Sequence, residues 1–331
     1  MKTYDFVAIG DVVTDEFISL KDAQVHCKID SEQCELCVRF GDKIPYESVE
    51  TVHAVGNAAN AAVSATRLGL STAFVGDVGG DELGEKILET LSEQGVSTEF
   101  VSIHQNMVSN HHYVLQYGPE RTILVKHQPY ERALPEIGEP LWVYLSSLGE
   151  NSLPYHQTLS AYLSAHPNTK LAFQPGTFQL KLSSELKGIY SQTYIFFCNK
   201  EEAAHILKVD SIDIKDALIK IVELGPKVVV ITDGPKGAHA YDSETKEMWS
   251  VPMYPDIKDP VDRTGAGDAF ASTVVAALAL GKPLSEALLW GPINSMSVVQ
   301  EIGAQKGLLS QEKILSYLDD APGNYGAKKI G

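Results

Sequence analysis

Short apolar runs of strand length alternate with helical segments along most of this chain, and that alternation restricts the fold more than any other property of the sequence. Residues 72–76, 141–145, 171–173, 194–197 and 228–232 read as buried strands, while 57–68, 81–94, 201–207 and 212–224 read as helices. A helix between two strands lets them pair in parallel and covers the sheet on both faces. The expected fold is therefore an α/β/α sandwich of three layers around a mainly parallel sheet. The segment 57–68 (NAANAAVSATRL) is rich in Ala and other small residues, which favours a closely packed helix, and Gly69 ends it.

Two stretches interrupt the alternation. Residues 4–10 (YDFVAIG) form a strand that feeds a loop, and Asp15 follows Gly10 by five positions at the strand tip, a natural place for a ligand. From residue 21 to 50 the chain turns polar, Cys-rich and poorly periodic. We read residues 16–55 as a small β lid and residues 1–15 with 56–331 as the core. A second hairpin, around Gly118-Pro119 within 110–126, is expected beside the lid.

Charge narrows the function. Lys and Arg number 27 against 43 Asp and Glu, a formal charge of −16 over 331 residues, so the surface repels nucleic-acid backbones and anionic lipids. No apolar run approaches the roughly 20 residues that span a bilayer, and residues 1–5 (MKTYD) lack an apolar signal core. A cytoplasmic protein is expected, without nucleic-acid or membrane partners. In a reducing compartment the four cysteines would stay as thiols or metal ligands.

The chemistry concentrates in Asp262-Arg263-Thr264-Gly265-Ala266-Gly267-Asp268, followed by an Ala-rich run. Glycines let the backbone approach a ligand, their amides converge on an anion, and the helix behind adds the positive end of its dipole. This reads as a phosphate site. Asp268 would either cap that helix or accept a proton from a hydroxyl attacking a phosphoryl group. The chain contains no G-x-x-x-x-G-K-[ST] loop, and Phe270 stands where a dinucleotide fingerprint needs its third Gly.

With these residues in view, the sequence resembles the ribokinase-like, or PfkB, carbohydrate and nucleoside kinases over nearly its whole length. Gly10 and Asp15 match the opening G-x-x-x-x-D; Gly56 and Asn60 match the G-G-x-A-x-N motif, with Val55 in place of the first Gly. Residues 76–84 (GDVGGDELG) match the next glycine run, Asn199 to Glu202 match N-x-x-E, and Thr232, Gly234 and Gly237 match T-x-G-x-x-G. Residues 262–268 match D-T-x-G-A-G-D with Arg263 in place of Thr. The resemblance implies Asp268 as catalytic base, the amides of Gly265, Ala266 and Gly267 as anion hole, and Asp15, Gly56, Asn57 and Asn60 as acceptor-binding residues. It likewise implies Asn199, Glu202, Thr232, Gly234, Gly237, Thr264 and Asn294 on the side of ATP and Mg²⁺, a K⁺ site near Asp262, and a homodimer formed through the lid. Asn199 and Glu202 also have the spacing of a capping box, and Arg263 faces either phosphate or solvent.

The implied reaction moves the γ-phosphate of ATP to a hydroxyl of a sugar or nucleoside, a ribose-like furanoside being favoured because Asp15 suits a vicinal diol. The alternatives are a sugar-phosphate kinase and a catalytically silent sugar-binding regulator. The family pattern does not account for Cys27, Cys34 and Cys37. Cys34-Glu35-Leu36-Cys37 has the tight spacing of a zinc site, with His26 or His53 as a fourth ligand, and free thiols are the competing reading. His111-His112 is expected on the hairpin surface or the rim of the acceptor site.

Overall fold

The computed structural model describes residues 3–27, 34–118, 120–182 and 184–330. The chain lays down β1 (Phe6–Ile9), leaves the core through β2 (Val13–Leu20), β3 (Gln24–Cys27), β4 (Cys34–Cys37) and β5 (Tyr46–Val55), and returns through α1 (Asn57–Arg67) to β6 (Thr72–Gly79). Next come α2 (Glu82–Glu93), β7 (Ser97–His104), the hairpin β8 (His111–Tyr117) and β9 (Glu120–Leu124), and β10 (Trp142–Leu145). Three further parallel strands follow, β11 (Lys170–Phe173), β12 (Thr193–Asn199) and β13 (Val228–Thr232), and then the antiparallel β14 (Ala238–Asp242), β15 (Glu247–Val251) and β16 (Lys328–Lys329). The order across the sheet is β16-β15-β14-β13-β12-β11-β10-β1-β6-β7, so the strand that starts the chain lies among the parallel strands.

Alternation along β1 shows how the layers are made. Phe6 and Ala8 join one apolar core and Val7 and Ile9 the other, because successive side chains leave opposite faces of a strand. The first core is closed by α1, α2, α8 (Ala266–Ala279), α9 (Leu284–Val298) and α10 (Gln311–Asp319). The second is closed by α3 (Leu153–Ala165), α4 (Thr177–Lys181), α5 (Lys187–Gln192), α6 (Lys200–Leu207) and α7 (Ile214–Val222). Helix α8 is buried around most of its circumference, from Asp268 to Ala277, which suits its Ala and Val content. Gly10, just past β1, is required by close approach: a Cβ there would stand 2.7 Å from the Cβ of Ala58 on α1.

The lid is a second sheet of order β5-β2-β8-β9, and the hairpin at 111–124 is part of it. It begins at Val13 rather than at residue 16, so Asp15 belongs to a lid strand and not to a core loop. The reason is non-local: Thr14 and Asp15 pair with His111 and His112 of β8, a partner about a hundred residues away. The two-stranded piece β3-β4 projects from this sheet. There the cysteine reading is corrected, because Cys27 and Cys34 are register partners joined by a disulfide and are unavailable to a metal. Cys37 and Cys198 are the free thiols, and among the described residues no cluster of His, Cys, Asp and Glu has the arrangement of a metal site.

Candidate active site

The turn before α8 sets the site. Gly265 adopts φ +78° as the residue preceding the helix, and a Cβ there would collide with Ala304 at 2.3 Å. Asp262 holds the other side of the turn. Its Oδ1 accepts from the amide (2.9 Å) and hydroxyl (2.6 Å) of Thr264, and its Oδ2 accepts from the amide of Gly303 (3.0 Å). With the turn so braced, the first turn of α8 presents Asp268 at the helix N-terminus. The Ala266 amide makes only a long bond, 3.4 Å, to the Arg263 carbonyl, and Gly267 is exposed. Amides at a helix start are without partners inside the helix and serve an anion well.

Asp268 is buried and held by three side-chain amide donors, two from α1 and one from the segment after β11. Asn57 Nδ2 (2.8 Å) and Gln174 Nε2 (3.1 Å) donate to Oδ1, and Asn60 Nδ2 (2.9 Å) donates to Oδ2. Tyr144, on β10, donates through its hydroxyl to Gln174 Oε1 and fixes which end of that amide faces the carboxylate. Burial pushes the Asp268 carboxyl above its ordinary range, and the three donors pull it partly back. A carboxylate in that position is a stronger proton acceptor than a solvated one, as a general base requires.

Beside the turn lies a cleft of about 240 Å³ lined by Thr232, Gly234, Gly237, Arg263, Gly267 and Met296, among others. Its walls are largely apolar and its floor is the start of α8, an arrangement that suits a nucleotide with its base in the cleft and its phosphates at the amides. Asn199 and Glu202 lie at the junction of β12 and α6. Each amide of the pair donates to the other's side chain, at 2.9 and 2.8 Å, so the capping box is real. Burial raises the Glu202 carboxyl and the charge of Asp268 raises it further, which places the two acids within electrostatic reach of each other.

Opposite the cleft, under the lid, a charged cluster is buried at the C-terminal ends of β1 and β6. Arg132 donates to Asp11 Oδ1 at 2.7 Å and to Asn151 at 2.6 Å, and its Nε stands 3.8 Å from Asp77 Oδ2. Asp11 Oδ2 takes the amide of Gly149 (2.8 Å) and faces His127 Nδ1 (3.0 Å). Asp77 faces His104 Nε2 at 2.7 Å. Burial pushes the Asp11 carboxyl up, but His127 and Arg132 outweigh it and leave the group below its ordinary value. Asp77 remains above its ordinary value, because burial there exceeds what His104 and Arg132 restore.

The structure thus brings Asn57, Asn60, Gly265, Ala266, Gly267 and Asp268 together, and Thr232, Gly234 and Gly237 onto the neighbouring cleft. Gly56 packs against the backbone of Asp11 and Asp15 lies under the lid. Asn294 of α9 does not line the cleft. It is fully buried away from the cleft, donating to Thr273 (2.7 Å) and accepting from the amide of Leu309 (2.9 Å), while Pro292, Ser295, Met296 and Val299 of the same helix face the cleft. Helical periodicity decides this, since neighbours on a helix point about 100° apart. At Asp262, where a cation is expected, three protein donors engage the carboxylate and Arg121 on β9 stands 3.6 Å away. Arg263 is exposed at the mouth of the cleft. Sequence reasoning missed Gln174, Tyr144, Asp11, Arg132 and Arg121, none of which carries a local signal beyond a polar residue close to a strand end or on a hairpin.

The sequence model of the pfkB family carbohydrate kinases matches residues 21–311. Ribokinase of Bacillus subtilis (strain 168) is 29% identical over 286 residues, 83% of this chain and 91% of that protein. Cytidine kinase of Thermococcus kodakarensis is 36% identical over 124 residues, 38% of this chain and 43% of that protein. Among solved structures, Arabidopsis thaliana ribokinase complexed with ribose and ATP superposes with a TM-score of 0.79 at 21% identity, over 96% of this chain and 99% of that one. A nucleoside kinase of Methanocaldococcus jannaschii superposes with a TM-score of 0.73 at 18% identity, over 95% and 98% of the two chains.

Proposed function

The chain belongs to the pfkB family of carbohydrate kinases, and from that premise we propose that it transfers the γ-phosphoryl group of Mg-ATP to a hydroxyl of a sugar or nucleoside, a ribose-like furanoside being the favoured acceptor, with Asp268 as general base. The observation that carries the reading is the Asp268 carboxylate, buried, raised by that burial and aimed by Asn57, Asn60 and Gln174 at the start of α8. In this reading the carboxylate takes the proton of the acceptor hydroxyl as its oxygen attacks phosphorus. The amides of Gly265, Ala266 and Gly267 meet the negative charge that spreads over the phosphoryl oxygens in an in-line transfer. The cleft lined by Thr232, Gly234 and Gly237 holds the nucleotide, and the lid excludes water that would otherwise compete with the acceptor.

Magnesium fits this site through phosphate oxygens and water more than through a cage of side chains, since it keeps several waters when bound. Glu202 and Asn199 would hold those waters, and the ion would supply charge neutralisation between the β- and γ-phosphates. Dimerisation through the lid and residence in the cytoplasm belong to the same reading. Dimerisation draws its support from the exposed apolar residues of the lid, Tyr46, Val49, Tyr113 and Leu124, whereas the Cys27–Cys34 disulfide stands against a reducing compartment.

ADP release from Mg-ATP is to be measured with a panel of sugars, sugar phosphates and nucleosides, beside Asp268→Asn. Turnover on at least one acceptor, falling by about 10³-fold or more in the variant, is expected. Residual activity within tenfold of wild type sinks Asp268 as base. Tight binding of a sugar without turnover favours the silent regulator, and preference for a phosphorylated acceptor favours the sugar-phosphate kinase.

A further inference from the structure

Two imidazole–carboxylate pairs stand side by side at the inner face of the lid, and of their four residues only Asp15 belongs to a motif. Asp15 on β2 is directly opposite His112 on β8, so both side chains leave the same face of the lid sheet, in line with the pair Phe17 and Val114. Phe17 and Val114 are buried, which turns that face in towards the core. His111, one residue away, points to the other face, 3.5 Å from Glu16. His112 Nδ1 lies 3.5 Å from Asp15 Oδ1, and His127 Nδ1 lies 3.0 Å from Asp11 Oδ2. The two rings meet edge to face with centroids 5.3 Å apart.

Polar atoms without partners mark the place as made for a ligand. Asp15 Oδ1, His112 Nε2 and His127 Nδ1 are buried and have no hydrogen bond, and the same holds for Arg132 Nε behind them. Buried polar atoms are nearly always satisfied, and each orphan is costly, so a cluster of them is unusual unless something else supplies the partners. The cluster also adjoins the general base by two short routes. Gly56 packs on the Asp11 carbonyl and is followed by Asn57, which holds Asp268. Gln174, which also holds Asp268, begins the segment leading to Phe178, whose ring meets His127 at 5.6 Å.

Charge selects the ligand class. Three carboxylates, of Asp11, Asp15 and Asp77, surround the place, and the one guanidinium, of Arg132, is already shared between Asp11 and Asp77. An anionic group would meet more negative than positive charge. A neutral hydroxyl, which both donates and accepts, satisfies Asp15 and an imidazole together. A ring nitrogen that has no partner of its own is open to donate to, or accept from, such a hydroxyl.

Resting on the kinase reading above, we propose that His112 and His127, together with the adjacent Asp15 and Asp11, form a specificity subsite that reads hydroxyls of a neutral polyol acceptor remote from the one phosphorylated, and that this subsite rejects phosphorylated sugars.

The test pairs each acceptor that turns over with analogues lacking one hydroxyl and with its phosphomonoester, for wild type, His112→Leu, His112→Gln and His127→Leu. Wild type is expected to prefer the full polyol over one deoxy analogue by at least tenfold in kcat/KM, and His112→Leu to erase that preference by raising acceptor KM while KM for ATP stays within twofold. His112→Gln, which retains a polar end, is expected to restore part of it. Preference retained in both Leu variants, or better use of the phosphomonoester, overturns the subsite and leaves the kinase reading standing. If wild type turns over no acceptor, the kinase reading fails, and calorimetric titration of the same panel still decides: weaker binding to His112→Leu supports the subsite, whereas equal binding or no binding overturns it. Circular dichroism and thermal melting verify folding, and His112→Leu alone suffices should His127→Leu not fold with Asp11 unpaired.

Discussion

In the kinase reading proposed above, the donor and acceptor halves of the site are built on different plans. The half assigned to phosphate lies in two contiguous stretches, 232–237 and 262–268, and is made of glycine torsions, amides and a helix start. The acceptor half is assembled from β2, β8, the segment after β9, the loop after β10 and the segment after β11, each supplying one or two side chains. Backbone geometry can be written in a few adjacent residues, because a torsion or a helix start is a local property. Recognition of hydroxyls needs side chains converging from several directions, and only sheet pairing brings those together.

That contrast can be broken by perturbing each half in turn. Arg132→Met removes the guanidinium from between two buried carboxylates and should cost about 3–5 kcal/mol of stability, read by denaturant unfolding. A loss under about 1 kcal/mol would mean that the acceptor half does not depend on this pair. In the donor half, Gly265→Ala places a Cβ into Ala304 at a residue with φ +78°. A stability cost of about 1–3 kcal/mol is expected, with KM for ATP rising more than acceptor KM. An equal rise in both would show that the halves are not separable.

Acidity addresses the point where the halves meet. Asp268 acts deprotonated, and burial raises its carboxyl, so kcat/KM should fall on acidification through a point above the ordinary carboxylate range. Asn57→Ala deletes a donor that pulls the group down, so the acid limb of the pH profile should move to higher pH. A limb that stays or moves down assigns it to another group. The smallest effect is expected at Cys27→Ser with Cys34→Ser. The β3-β4 piece is exposed, its disulfide closes a loop over a sequence separation of 7, and it lines neither half. Acceptor KM within twofold of wild type, from steady-state rates, is the expected result, and a larger change would draw the cysteine hairpin into the acceptor half.

Legibility followed the same division. The parallel strands β6, β10, β11, β12 and β13 and the helices α2, α6 and α7 were readable because apolar period and helix-ending glycines are local signals, whereas β7, α3, α4 and α5 were not read. The lid boundary was misplaced because Asp15 becomes a strand residue only by pairing with His112. Asn294 lies off the cleft, a position its motif did not give, because a motif names a helix but not which of its faces meets the cleft. Cys27 and Cys34 read as metal ligands by spacing, whereas their register across β3 and β4 made them bonding partners. Gln174 and Arg132 gave no signal, since a polar residue near a strand end looks alike whether it is solvated or buried against a carboxylate.

By itself, then, the sequence determined the layered α/β core and the glycine turn that starts α8, both of which follow from residue type and short-range spacing. The tertiary structure alone decided that the lid is one sheet including Asp15, that three amides from distant segments hold Asp268, and that two imidazoles face each other above the buried Asp11–Arg132 pair. Those arrangements depend on strand pairing and burial between residues some tens to hundreds of positions apart, where the energy lies in contacts that no short window of sequence contains.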